Sequence, residues 1–438
     1  MSSPVTHESD EADGRSLAKE TGRSAGKIGI SLLVAIALGY VLTLVATRWL
    51  GPENSKVYLS FWGILMGLGS ALSPLEQELS RQSAVAALDG GKAGKPALRA
   101  LTVGAVTVAV VAALTMAVPV LSDRLYGGNT ALGVIVLCGA ISFACQFAAR
   151  GLLVGQQRIK PYSGLVVAEA AVRVLVLLGI AAAGLTGLTS FAIAAATGSF
   201  AWLLFVRPVA GLVDPHADGD GWGPVTARIL VLMAGAGLTA SVITGYPAMV
   251  SLLAPGGSDA DVGVLFATLT VSRVPLLLLS PLQALAVPTV VRLSGTEEGT
   301  HRLRRLLALG ALGTVVLGVV GALVGWLIGP WLVSLLYGAK FVAQGWWVAW
   351  MVWGAVLLTA LQLMTAVLVA RKEASKVLVT WAVVAVATAA TLLLVPGDPI
   401  LKAVAGLAGG PTLGLLVVLM FVLRRPGNVR PAPDVPVG

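Results

Sequence analysis

Twelve apolar stretches run along this 438-residue chain, and basic residues gather in every second gap between them. The stretches fall at about 28–47, 57–79, 100–121, 131–149, 162–185, 187–206, 229–253, 262–286, 306–328, 346–369, 377–394 and 403–423. Each is about long enough to cross a ~30 Å hydrocarbon core as a helix. With the N-terminus placed inside, 23 of the 30 Lys and Arg residues lie on the inner side and 5 on the outer, while Arg173 and Arg273 fall within stretches. Short loops that carry such an excess face the cytoplasm. The expected fold is therefore an all-α, polytopic membrane protein of 12 transmembrane helices, with both termini in the cytoplasm.

The net charge of +9 would suggest nucleic acid in a soluble chain. Here the basic residues are the inner flanks of helices, drawn to anionic lipid headgroups, so membrane lipids are the expected partner and nucleic acid is not. Residues 1–27 are polar and mixed in charge, and residues 424–438 carry four prolines, so both read as unstructured cytoplasmic tails. Cys138 and Cys145 lie seven apart on one helix, ~10 Å along its axis, too far to bridge each other, and read as small buried residues. The three histidines lie outside the stretches, and no metal-ligand cluster or cofactor motif is visible.

The longest polar stretch between helices, 207–228, divides the chain into six-helix groups at 28–206 and 229–423. The groups share ordered triplets. Leu50-Gly51-Pro52 answers Leu253-Ala254-Pro255, Ser73-Pro74-Leu75 answers Ser280-Pro281-Leu282, and Leu125-Tyr126-Gly127 answers Leu336-Tyr337-Gly338. An even number of spans per half gives both halves one orientation, so the repeat is parallel, with a pseudo-twofold axis along the membrane normal.

Ala46-Thr47-Arg48-Trp49-Leu50-Gly51-Pro52, Tyr58, Arg81-Gln82-Ser83-Ala84, Leu125-Tyr126-Gly127, Gly155-Gln156-Gln157-Arg158 with Tyr162, and Arg273-Val274-Pro275 followed by Val287-Pro288 and Arg292 carry a resemblance. With them, residues 28 to 390 resemble the polysaccharide and O-antigen flippases of the multidrug/oligosaccharidyl-lipid/polysaccharide (MOP) superfamily. The resemblance implies two six-helix bundles forming a V around a cavity, and a lipid-linked glycan, undecaprenyl-pyrophosphate oligosaccharide, turned from inner to outer leaflet by alternating access. It also implies glycosyltransferases and a polymerase as pathway partners. The chain lacks the arginine-rich first helix and the two further C-terminal helices of lipid II flippases, so lipid II itself is not the expected substrate.

A flippase makes and breaks no bonds, so no catalytic residue is expected. Ionisable residues at membrane depth are the candidates. Arg273 and Arg173 lie near the midplane, and a guanidinium offers a planar fork for phosphate oxygens. Arg48 at the outer mouth and Arg81 at the inner end of the second span complete the substrate-binding set, although Arg48 also reads as a snorkelling anchor. Glu169, four residues before Arg173, reads as a neutralising partner or a proton carrier. Glu76 and Glu78 beside Arg81 read as locally paired or as gates of the inner mouth. Trp350 and Trp353 could stack on sugars, and the pairs Gly63/Gly67 and Gly321/Gly325 offer faces for close helix packing.

Other readings stay open. A drug antiporter of the same superfamily needs a carboxylate-rich cavity, whereas Glu169 is the one deep acid against two deep arginines. A membrane-embedded glycan enzyme would carry acids on a large outer loop, and the outer loops here are short. A major-facilitator carrier would need an Asp-Arg signature after the second span, where Asp89 is followed by Gly90-Gly91-Lys92. A non-transporting scaffold would need none of these features.

Overall fold

The computed structural model describes residues 6–88, 90–217, 219–273, 297–371 and 373–423. These residues are almost wholly helical. In chain order the helices are α1 (Thr6–Ala71), α2 (Ser73–Leu88), α3 (Lys95–Ala117), α4 (Pro119–Tyr126), α5 (Thr130–Gly155), α6 (Ile159–Ala182), α7 (Leu188–Thr197), α8 (Val206–Ala210), α9 (Trp222–Ile243), α10 (Tyr246–Leu253), α11 (Asp259–Ser272), α12 (Glu297–Tyr337), α13 (Gly345–Ala370), α14 (Ala374–Leu394) and α15 (Pro399–Leu423). A 3-10 segment, Gly198–Phe205, joins α7 to α8.

Among the described residues ten helices are long and apolar enough to cross a membrane. The first, Leu33–Leu88, holds two of the predicted spans. They separate at Gly51 (φ 72°, ψ 173°), where α1 breaks. Across the break the Ser55 hydroxyl donates to both the Thr47 and Gly51 carbonyls, at 3.2 and 2.6 Å. Eight residues of straight helix would hold Thr47 and Ser55 ~12 Å apart, so the chain bends sharply here. The eighth predicted span is described only through α11. Its second half, with Pro275, Pro281 and the 280–282 triplet, lies outside the described residues, as do Arg292 and the 424–438 tail. Large apolar side chains lie exposed along the long helices, among them Leu175, Val231, Leu312, Leu323 and Leu327. Such surface is stable only in lipid, and this is a multi-pass membrane protein.

Two expectations need correction. Residues 6–27, read as an unstructured tail, belong to α1: no proline falls between Thr6 and Gly51, and Ala12, Leu17, Ala18, Lys19 and Glu20 are strong helix formers. The 207–228 stretch, read as a plain linker, opens α9 at its end and pairs with the start of α3. Ala93 and Val213 form a bridge, with Ala93 N–H on Leu212 and Asp214 N–H on Ala93. The tight hairpin after the fifth span forms as expected: Gly184 takes φ 71°, and the Gly184 and Leu185 amides close on the Ala181 and Ile180 carbonyls.

The chain forms two compact units, residues 1–267 with 332–342, and 268–331 with 343–438. This division differs from the expected bundles at 28–206 and 229–423, because α9 and α10 pack on the α1 arm after Gly51. A Cβ on Gly63 would meet the Ala248 amide nitrogen at 3.3 Å, one on Gly67 the Gly245 Cα at 3.6 Å, and one on Gly237 the Ala71 Cβ at 4.0 Å. These small residues let the backbones approach, as the Gly63/Gly67 spacing implied. In the second unit, Gly321 and Gly325 lie against Val348 and Val352 of α13, Gly354 lies against Leu407, and Gly414 lies against Val384 and Leu361. Trp353 packs on Gly318, and Trp350 is exposed.

Contacts within the first unit group its loops as the charge alternation does. Loops assigned inside touch one another through Ala93 and Val213. Segments assigned outside also meet. Lys56 pairs with Asp259 at 2.6 Å, Arg124 caps α10 at the Leu252 carbonyl, and Arg48 donates to the Leu335 and Leu336 carbonyls in the last turn of α12. The repeated triplets also share local form: Leu125-Tyr126-Gly127 and Leu336-Tyr337-Gly338 each end a helix at the tyrosine with a positive-φ glycine, 60° and 103°.

Candidate functional site

The first unit buries an ionic network among α2, α5, α6 and α7. Glu169 is its hub. Its Oε1 accepts from Arg173 Nη2 at 2.7 Å, and its Oε2 accepts from Gln146 Nε2 at 2.7 Å and from Arg150. The two arginine side chains are 8% and 13% exposed, so two guanidiniums share one carboxylate away from water. Arg173 also lies between the Trp62 and Phe143 rings, 5.8 Å from each centroid, and Arg150 lies over Phe147 at 5.3 Å. Aromatic faces and the shared carboxylate together offset the cost of burying two cations. Through the same Gln146 the network continues: its Oε1 accepts from the Trp202 amide at 3.1 Å, and Trp202 Nε1 donates to Ser142 Oγ, one turn away on α5, at 3.0 Å.

Arg173 reaches its place through the backbone of the next span. Its Nε donates to the Ala195 carbonyl at 3.1 Å, an acceptor that an α-helix would give to the amide four residues on. The α-helix gives way to 3-10 form at Gly198. A Cβ on Gly198 would collide with Arg173 Nε, and would lie 2.7 Å from both Arg173 Cγ and the Glu169 carbonyl. A side chain inserted into a helix ladder is a recognised cause of such distortion, and glycine leaves room for it.

A second cluster lies at the start of α9. Glu78, 6% exposed, accepts a fork from Arg81, Nε at 2.9 Å and Nη2 at 2.7 Å, and further bonds from Gln82 and Arg228 at 2.9 and 2.7 Å. Arg228 also reaches Asp220 Oδ2 at 2.9 Å. Arg99 donates to the Asp220 carbonyl and lies over the Trp222 ring at 5.8 Å.

The sequence candidates thus separate. Arg173 and Glu169 meet as their i,i+4 spacing implied. Glu76 is half-buried beside them and accepts from the Tyr162 hydroxyl at 3.2 Å. Glu78 and Arg81 pair locally and gain Arg228 from 150 residues away. Arg48 is engaged at the end of α12. Arg273, half-buried, directly follows α11. Arg150, counted by sequence as an inner-flank charge, is instead a buried member of the Glu169 hub. Gln146, four residues before Arg150, was the available signal, because two polar residues then share one face of an apolar helix. Cys138, expected buried, is exposed; among the described residues both cysteines are free.

No protein-family profile matches the chain. It is 29% identical over 417 residues to Rv1510 of Mycobacterium tuberculosis, a protein described as uncharacterized, covering 92% of each chain. Its structure is similar to that of the lipid II flippase MurJ in the inward closed conformation, with TM-score 0.61, 14% identity, and 90% of this chain and 87% of MurJ covered. It is also similar to a multidrug resistance MATE family transporter of the MOP superfamily in the inward-facing conformation, with TM-score 0.60, 14% identity, and 89% and 98% of the two chains covered. The fold is that of the MATE/MOP transporters.

Proposed function

We propose that this chain is a flippase. It carries an undecaprenyl-pyrophosphate-linked oligosaccharide, or a cell-envelope polysaccharide precursor, across a bacterial cytoplasmic membrane by alternating access, without enzymatic chemistry. The observation that carries this reading is the charge at the buried hub, where two guanidiniums converge on one carboxylate. Such a site suits an anionic headgroup better than a cationic drug. Arg81 is a further group assigned to the pyrophosphate, Arg273, after α11, is a separate substrate-binding candidate in the second unit, and Arg48 is the candidate at the outer end. Glu76 and Glu169 supply coupling or gating through their bonds to Tyr162 and to the arginines, and Glu78 holds the inner end through Arg81 and Arg228.

The test is transport by purified protein in sealed vesicles. A short fluorescent glycan on undecaprenyl pyrophosphate should become accessible to an impermeant quencher faster with protein than without. Uptake of cationic dyes with no movement of the lipid-linked glycan would replace this reading with the drug antiporter of the same fold.

Orientation is tested separately in a background lacking Cys138 and Cys145. Lys92→Cys should react with an impermeant thiol reagent only after the membrane is opened, and Ser258→Cys should react from outside. The reverse pattern would overturn the placement of the termini in the cytoplasm.

A further inference from the structure

One face of the α1 arm after Gly51 meets α9, α10 and the first turn of α11 along most of its length. The contacts run antiparallel. Lys56 pairs with Asp259, Ser60 Oγ lies 2.6 Å from Ser251 Oγ, Gly63 faces Ala248, Gly67 faces Gly245, Ser70 Oγ lies 3.4 Å from Thr244 Oγ1, and Ala71 faces Gly237. Steps of four and three residues keep these positions on one side of the helix. At ~1.5 Å per residue the seam covers most of a ~30 Å hydrocarbon core.

The seam is fastened at both ends. At the Lys56 end, Ser60 donates to the Lys56 carbonyl at 2.8 Å, so its oxygen takes the Ser251 proton, and both serines are buried. Four residues beyond Asp259 on α11, a Cβ on Gly263 would collide with the Pro52 carbonyl, so the two backbones touch there. At the other end Arg228 of α9 reaches the buried Glu78 carboxylate at 2.7 Å, Gly219 lies against the Pro96 ring, and Ala93 bridges Val213. Parting the seam would give up an ion pair and a hydroxyl pair at one end, an ion pair and a backbone bridge at the other, and the close glycine contacts between. None of these ties breaks if α9 and α10 travel with the α1 arm.

We infer that α9 and α10, although they follow the 207–228 stretch, move as one body with the first six spans throughout transport, and that this seam stays closed in every state. The inference rests on the alternating access proposed above and names helices that move together in it.

Cross-links across the seam test it in the full-length chain lacking Cys138 and Cys145. Ser60→Cys with Ser251→Cys bridges the Lys56 half, and Ser70→Cys with Thr244→Cys the Glu78 half. The oxygens they replace already face each other, as a disulfide requires. With the bridges formed, shown by loss of free thiols to a mass tag, glycan movement in sealed vesicles should stay within about twofold of the same protein reduced, because the seam takes no part in opening. A larger fall that reductant reverses would overturn the inference, and so would failure of the pairs to oxidise. A second readout needs no transport. A lone Ser60→Cys should stay unreactive toward a small membrane-permeant thiol reagent, with or without the lipid-linked glycan, and labelling that the glycan speeds would mark a parting seam. If wild type moves no glycan while the bridges form and Ser60→Cys stays protected, the flippase reading fails and the closed seam stands. If the reduced protein flips and the bridged protein does not, the seam fails and the flippase reading stands.

Discussion

Replacing Glu169 by glutamine should remove most of the folded protein. Arg150 and Arg173 share this carboxylate, and both are nearly buried. Glutamine keeps the shape and a hydrogen-bonding oxygen but leaves two cations without a counter-charge. Breaking a buried ion pair by removing one partner costs about 3–5 kcal/mol. That is a large share of the ~5–15 kcal/mol by which a protein of ordinary stability is folded. The yield in the membrane fraction and the melting temperature of detergent-purified protein should both fall sharply. Adding Arg150→Gln and Arg173→Met to Glu169→Gln removes the stranded charges, and this triple variant should recover part of the loss. A Glu169→Gln protein that melts with wild type would mean that water solvates the arginines, and would end the description of this network as buried. If the triple variant folds but moves no glycan, the network serves transport as well as stability.

Gly198→Ala should be strongly damaging, because its methyl falls inside the Arg173–Glu169 network. The added carbon would collide with the Arg173 side chain and lie 2.7 Å from the Glu169 carbonyl. Overpacking of this kind costs about 1–3 kcal/mol, and here it also pushes Arg173 away from Glu169 and from the Ala195 carbonyl. The two residues should therefore couple. In an Arg173→Ala background the same Gly198→Ala change should cost much less, because one of its two collisions is gone. Melting temperatures of wild type, both single variants and the double variant close the cycle. Additive losses would show that Gly198 is needed for the 3-10 backbone itself and not for the passage of the arginine.

Much of the membrane layout was legible without coordinates. Span length is a one-dimensional property, so hydropathy suffices to read it. The break in α1 falls at Gly51-Pro52, between the first two apolar stretches, and the hairpin after α6 falls between the stretches that end at 185 and begin at 187. The four-residue spacing of Glu169 and Arg173 announced their pair, because i and i+4 share a helix face. The third charge of that hub was missed. Arg150 lies at the inner end of its span, where a snorkelling arginine is ordinary, and Gln146 one turn before it was the signal that it turns inward. Arg228 was hidden because its contact with Glu78 joins residues 150 positions apart.

The sequence by itself determined that the chain enters lipid and where most of its apolar spans lie, because these depend on local transfer energies. Which charges meet, and what lies between them, only the tertiary structure decided. Packing brought Arg150 to Glu169, set Gly198 aside for Arg173, and drew α9 against α1 through small facing residues. Those outcomes depend on how separate helices pack in three dimensions, and no local rule of the chain contains that.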